Sequence, residues 1–371
     1  MSIPGVRKAV SKVHPYVGGK TVEEVRRELG LDRVVKLGSN ENPYGPYPGA
    51  FAAMRDALSR VNSYPEATFV ELKRVIAAIY GLGPENIAIA HGAGGMLETL
   101  ARTFLEKDDE VIMPRQTYGL YREISRLMGA EVREFDLDEA YTIDLDRALE
   151  LITEKTKLFW LCNPNNPTGT VFDAQRFEEL LDAMPRTGWI VLDEAYAEFA
   201  AESLLPEAQK ALGEGRQIVV VRTFSKAYGL AGARLGYALA SPEMIRTIDT
   251  VAEPFNANRV GIAGARATLE EDEGPYTEAL EAILSERARL EAEVASLNCA
   301  VVPTQTNFIF FGLPEDLGVD AASVSEALLR RGVIVRSAAG WGFPRHLRVT
   351  VGRPEENEFF LEQLREALAD G

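Results

Sequence analysis

Through the middle of the chain, short apolar runs closed by turn residues alternate with segments whose apolar positions recur at helical spacing. The runs at 86–90, 110–113, 131–135, 158–162, 189–192, 217–221 and 235–240 read as strands. Met96, Leu97, Leu100, Phe104 and Leu105 share one helical face between the first two, and the same spacing predicts helices over 69–80, 120–128 and 177–184. This alternation predicts an α/β fold, with a mostly parallel seven-stranded sheet between layers of helices. After Pro254 the pattern changes. A long helix over 275–297, a run at 308–310, a helix near 321–330 and runs at 333–335 and 347–351 predict a second, smaller α+β domain. The first residues are rich in glycine and proline after Val34, yet carry interleaved aromatic and apolar side chains. They read as a structured arm. The expected division is an arm over 1–45 contributing to the small domain, a large domain over 46–257 and a small domain over 258–371.

Charge narrows the set of partners. With 40 Lys+Arg against 56 Asp+Glu the formal charge is −16, so the surface should repel nucleic acid and anionic membranes. An anionic small molecule would need a local basic pocket. No apolar run reaches about 18 residues, and residues 1–12 lack the pattern of a signal peptide, so a cytoplasmic protein is expected. Cys162 and Cys299 are too few for a disulfide framework and share no ligand spacing with His14, His91 and His346, so no metal site is expected.

The chemistry centres on Lys226. It follows the strand at 217–221, where open α/β sheets bind ligands, and a lysine there can lose its proton and condense with an aldehyde. Thr223, Ser225 and Arg234 surround it with hydroxyls and a permanent cation that suit a phosphate monoester. A second anion cradle is legible in His91-Gly92-Ala93-Gly94-Gly95, a strand-to-helix turn that aims backbone N–H groups at one point. One aldehyde and one phosphate describe a cofactor that acts as an electron sink only if a buried carboxylate keeps its ring nitrogen protonated. Asp193 closes an apolar strand and fits that role. Tyr196 and Asn166 can donate to a ring oxygen, and Tyr118 can stack on the ring face.

In chain order, Asn163-Pro-Asn-Asn-Pro-Thr-Gly169, Asp193-Glu-Ala-Tyr196 and Ser225-Lys-Ala-Tyr-Gly-Leu-Ala-Gly-Ala-Arg234 resemble the motifs of the fold type I pyridoxal-phosphate aminotransferases. The resemblance covers nearly the whole chain. It implies pyridoxal 5′-phosphate carried on Lys226, with Asp193 on the ring nitrogen, Asn166 and Tyr196 on the ring oxygen, and Tyr118 stacked. Thr223, Ser225, Arg234 and the backbone of Gly92, Ala93 and Gly94 would hold the phosphate. Within that family the ends of the chain are similar to the histidinol-phosphate aminotransferase group. His14-Pro-Tyr-Val-Gly-Gly-Lys20 and Leu37-Gly-Ser-Asn-Glu-Asn-Pro-Tyr-Gly-Pro46 are similar to its substrate-covering arm, which puts Tyr16 and Asn40 at the substrate. Asn62-Ser-Tyr-Pro65 is similar to the segment lent across a homodimer, which implies shared active sites with Tyr64 on the partner's cofactor phosphate. One departure stands out: Gly94-Gly95 replaces an acidic or amide side chain usual at that cradle.

The resemblance implies transfer of the amino group of L-histidinol phosphate to 2-oxoglutarate. Arg348 suffices to fork onto a carboxylate, whereas a phosphate with nearly two charges asks for a second cation, for which Arg336 is the candidate. An aromatic amino-acid aminotransferase and a decarboxylase of a phosphorylated amino acid remain as alternatives. Whether Arg336 and Arg348 converge depends on strand register, which the sequence leaves open.

Overall fold

The computed structural model of the chain describes residues 4–15, 18–201 and 204–369. Helix α1 (Val22–Leu29), closed by a capping box between Thr21 and Glu24, and strand β1 (Val35–Lys36) form the arm. Helices α2 (Pro48–Ala57) and α3 (Val70–Tyr80) lead into the large sheet. Its strands are β2 (Ile87–Ala90), β3 (Glu110–Pro114), β4 (Glu131–Phe135), β5 (Thr156–Cys162), β6 (Trp189–Asp193), β7 (Ile218–Thr223) and β8 (Gly236–Leu239). Between them run α4 (Gly92–Phe104), α5 (Leu120–Met128), α6 (Leu145–Leu151), α7 (Ala174–Ala183) and α8 (Leu205–Gly213). Across the sheet the order is β2-β8-β7-β6-β5-β3-β4, and β8 alone runs antiparallel to its neighbours.

The central strands are buried on both faces, which is why they read as unbroken apolar runs. Alternate side chains sort cleanly between two cores. Phe159, Leu161, Ile190, Leu192, Ile218 and Val220 pack with Leu72, Ile76 and Phe177 on one side. Leu158, Trp160, Val191, Val219 and Val221 pack with Met96, Leu100 and Tyr121 on the other.

The rest of the chain comprises α9 (Pro242–Val251), α10 (Arg259–Glu271), α11 (Glu273–Ser296), β9 (Ala300–Val302) and β10 (Phe308–Gly312). It ends with α12 (Ala321–Arg330), β11 (Val333–Ile334), β12 (Arg336–Ser337), β13 (His346–Thr350) and α13 (Pro354–Ala369). An antiparallel sheet of order β12-β13-β10-β9 packs its Phe308, Phe311, Leu347 and Val349 against Ile283, Leu290, Val324 and Phe360. Val35 and Leu37 of the arm join this core, as do Tyr196 and Ala227 from the edge of the large sheet.

Two details differ from the sequence reading. The run at 333–335 is not one strand: β11 pairs in parallel with β1, and the chain then crosses to the other sheet, where β12 pairs with β13. Residues 258–271, assigned from sequence to the second domain, fold as α10 against α2 and place Ala265 in the large-sheet core. The chain changes cores within α11, at whose start Asp272 caps α2 by accepting from Gly49 N and Ala50 N, both at 2.8 Å. No helix among the described residues is long and apolar enough to cross a membrane.

Candidate active site

Strands β5, β6 and β7 lie side by side, with Cys162 opposite Asp193 and Asp193 opposite Val221, so the turns after all three open at one edge. Asp193 is 4% exposed. Burial pushes its carboxyl up to about 6, against the pull of Tyr121, whose hydroxyl donates to Oδ2 at 2.6 Å, and of Ala195 N, which donates to Oδ1 at 3.1 Å. Tyr121 is itself fully buried, stacked on Trp160 with centroids 5.4 Å apart and meeting Tyr118 edge to face at 5.5 Å. The Trp160 indole N–H in turn donates to Ser125 Oγ at 2.9 Å.

Because successive side chains of a strand point to opposite faces, Glu194 and Arg222, neighbours of Asp193 and Thr223, meet on the far side of the sheet. There Arg222 Nη2 lies 2.6 Å from Glu194 Oε2, and Nη1 lies 3.2 Å from Glu198 Oε1, all buried. Removing one partner of such a buried pair typically costs about 3–5 kcal/mol, because the other charge is then left buried and unpaired.

Lys226 lies close enough to Asp193 for each charge to act on the other. Burial, with Arg348 nearby, holds its amine down to about 8, so a substantial neutral fraction exists near physiological pH. Its Nζ donates to Ser39 O at 3.1 Å. The loop carrying it is gripped by the arm: Asn42 Nδ2 and Tyr47 Oη donate to Ala227 O at 2.8 and 2.7 Å. Gly45 and Gly229 approach so closely that a Cβ on Gly45 would lie 2.5 Å from Gly229 Cα. Tyr196 Oη accepts from Asn40 Nδ2 at 2.9 Å and from Asn166 Nδ2 at 3.4 Å, which leaves its own proton to donate outward. Burial also keeps that hydroxyl well above the usual tyrosine range, so it stays protonated.

At the candidate anion cradle, Gly92 begins α4 at φ 73°, and a Cβ there would lie 2.6 Å from Arg234 Nη2. Only glycine lets the guanidinium rest on the helix N-terminus, where Ala93 and Gly94 follow in the first turn. His91 provides no side-chain cap to that end. Thr223 Oγ1 accepts from Ser225 N at 3.1 Å and donates to Leu235 O at 3.4 Å, so it braces the lysine loop as well as lining it. A Cβ on Gly94 would meet nothing closer than Leu120 Cδ2 at 3.6 Å, so the missing side chain there leaves room rather than relieving a clash.

The register question has a definite answer: Arg336 of β12 is the cross-strand partner of Arg348 of β13. Arg348, 6% exposed, donates from Nη1 to Asn166 Oδ1 at 2.6 Å and from Nη2 to Gly38 O at 2.8 Å. Asn40, in the left-handed region at φ 55°, donates from its N–H to Thr350 Oγ1 at 2.8 Å, so the arm is pinned between the arginine strand and Tyr196.

Lys226, Asp193, Tyr196, Asn166, Asn40 and Arg348 therefore converge in one network, with Arg336 beside it and Gly92 and Arg234 forming the cradle. Tyr64 stands apart: it is 75% exposed and stacks on Phe255 at 4.4 Å. Tyr16 lies outside the described residues. The sequence reading passed over Tyr121, Asn42, Tyr47 and the Arg222 triad. Tyr121 carried one usable signal, a polar-tipped aromatic three residues after Tyr118 on a core-facing helix. The donor set fits pyridoxal phosphate: a neutralisable amine, a buried carboxylate, and a helix N-terminus with an arginine laid on it.

Residues 32–364 match the family described as aminotransferase class I and II. Among curated proteins the chain is 41% identical to a histidinol-phosphate aminotransferase of Symbiobacterium thermophilum, covering 99% of each. It is 42% identical to one of Anaeromyxobacter, covering 99% of this chain and 100% of the other. Among solved structures it superposes with TM-score 0.91 and 28% identity on the histidinol-phosphate aminotransferase of Sinorhizobium meliloti in complex with pyridoxal-5′-phosphate, covering 100% of this chain and 99% of that one.

Ionising Asp193 in its buried place costs on the order of 2–3 kcal/mol, because its proton affinity stands some hundredfold above the ordinary value. A carboxyl raised in the folded state stabilises fully below its unfolded value and loses that contribution as pH rises through about 6. In cofactor-free protein, Asp193→Asn should therefore match wild type in urea unfolding at about pH 4 and exceed it by that amount at about pH 7.5. Equal gaps at both pH values would show that the carboxylate is not desolvated.

Proposed function

This chain belongs to the class I and II aminotransferases, and from that membership we propose that it transfers the amino group of L-histidinol phosphate to 2-oxoglutarate with pyridoxal phosphate as cofactor. The observation that carries the choice of donor is the pairing of Arg336 with Arg348 across β12 and β13. Relatives at 41% and 42% identity that bear the histidinol-phosphate aminotransferase name support it. Two guanidinium groups at one end of the pocket match a phosphate of nearly two charges, whereas a carboxylate needs one fork.

When bound, pyridoxal phosphate supplies the electron sink that lets the donor's C–H bond ionise. The chain's own groups set the stage for this. Arg234 and the first turn of α4 bind the phosphate, and Asp193, braced by Tyr121, holds a proton at the ring nitrogen. Tyr196 directs its hydroxyl to the ring oxygen, while Arg336 and Arg348 orient the donor so that its α-carbon faces Lys226. Lys226 Nζ, with its amine held near 8, takes the proton from that carbon and carries it. Ser39 O is placed to keep the ammonium within the pocket meanwhile. Donor and acceptor are free polar metabolites, met in the cytoplasm, where we place the enzyme.

The test is kcat/KM with 2-oxoglutarate as acceptor. Histidinol phosphate should exceed phenylalanine and tyrosine by about a hundredfold, some 2.7 kcal/mol of transition-state discrimination, and Arg336→Ala should erase most of that margin. Aromatic donors that match it would make this an aromatic amino-acid aminotransferase.

The same reading includes a homodimer with shared sites. Its support is a run of exposed large apolar side chains, Phe51, Leu58, Val61 and Tyr64, with Tyr64 stacked on the exposed Phe255. Sedimentation should give twice the chain mass, and Tyr64→Phe should weaken cofactor binding about tenfold through a lost phosphate hydrogen bond. A monomer that binds the cofactor as tightly as wild type would contradict it.

A further inference from the structure

Trp341 has no role in the site described so far, yet the fold lays it over both arginines. It lies in the connection between β12 and β13, in a short 3-10 turn over Ala339–Trp341. Trp341 N donates to Ala338 O at 2.9 Å, Gly342 N to Ala339 O at 3.0 Å and Phe343 N to Ala338 O at 3.2 Å. Gly342 reverses the chain in the left-handed region at φ 91°. The turn folds the indole back over the strand pair, with Arg348 Cζ 5.4 Å and Arg336 Cζ 5.8 Å from its ring centroid. From behind, Trp341 packs on Val302, Phe310 and Ala338 together with Tyr141 and Phe343, so the indole is backed by a cluster and not merely draped on the surface.

Arg348 is anchored by Asn166 Oδ1, Gly38 O and the Phe308 ring, whose centroid is 5.4 Å from Cζ. Arg336 is half-buried on a two-residue strand. Like charges directly opposed across a strand pair repel. The face of an indole attracts cations, and one ring that reaches both draws them to the same spot.

We propose that Trp341 is a positioning residue that determines donor specificity, holding Arg336 beside Arg348 so that both meet the far, multiply charged end of the donor. This rests on the histidinol-phosphate reading. A donor ending in one carboxylate uses the anchored Arg348 and is indifferent to Trp341; a phosphate monoester uses both arginines and depends on it.

The test compares Trp341→Ala, Trp341→Phe, Arg336→Ala and the Trp341→Ala/Arg336→Ala double variant as holoenzymes, each with histidinol phosphate and with phenylalanine as donor. Trp341→Ala should raise KM for histidinol phosphate about tenfold with kcat within about twofold, and leave phenylalanine within about twofold. Trp341→Phe should restore most of the loss, because a smaller ring still offers a face. In the Arg336→Ala background the Trp341→Ala change should add almost nothing, since both remove the same contact. The proposal is overturned if KM rises equally for both donors, if the two substitutions add, or if the loss appears only as a lowered melting temperature shared by Trp341→Phe. A wild type that prefers histidinol phosphate, with that preference intact in Trp341→Ala, removes this inference alone. A wild type without the preference removes the donor reading and this inference with it.

Discussion

Holding a negative charge at Asp193, away from water, is the constraint on which the rest of the structure turns. A carboxylate in that position is unfavourable in the folded protein on its own, and the surroundings reduce the penalty without abolishing it: one hydroxyl, from Tyr121, and one backbone N–H, from Ala195. The Tyr121 ring is locked between Trp160 and Tyr118, so the hydroxyl is aimed by packing. Asp193 thus costs the folded protein stability when it ionises, a pattern frequent at functional sites.

Around that charge the chain assembles groups from three distant stretches, and the arm is what joins them. Consecutive carbonyls of Gly38 and Ser39 accept from Arg348 and Lys226, and Asn40 links Tyr196 to Thr350. Five residues later Gly45 lies against Gly229, while Asn42 and Tyr47 hold the carbonyl next to the lysine. Arg348 and Lys226 therefore share one short segment of the arm. A displacement of either is felt by the other through backbone atoms that cannot be altered by side-chain substitution.

Much of this was legible in the sequence where the physics is local. The strands of the large sheet are apolar on both faces, so β5 through β7 read as runs that needed no partner to identify them. Lys226, Asp193, Asn166 and Tyr196 stood out in the sequence because each lies at or just after the end of a strand and carries its own chemistry. Helix α2 was missed because it buries only Ala50 and Ala57, which leaves no apolar stripe to read. Strand β12 is two residues long, too short for any periodicity, and its meaning lies wholly in its register with β13. Tyr121 and Trp341 look like ordinary core aromatics in sequence. What distinguishes them is where a hydroxyl or a ring face ends up, which is set by packing between elements far apart in the chain.

The central claim is that one lysine, at the junction of β7 with the arm, carries the cofactor. Borohydride reduction of the holoenzyme followed by peptide mass spectrometry tests it most directly, because reduction turns the lysine–cofactor linkage into a stable secondary amine. The account predicts a single pyridoxyl-modified peptide, modified at Lys226, and no modified peptide from Lys226→Ala. A modification on another lysine, or a wild type that carries none after incubation with pyridoxal phosphate, would contradict it.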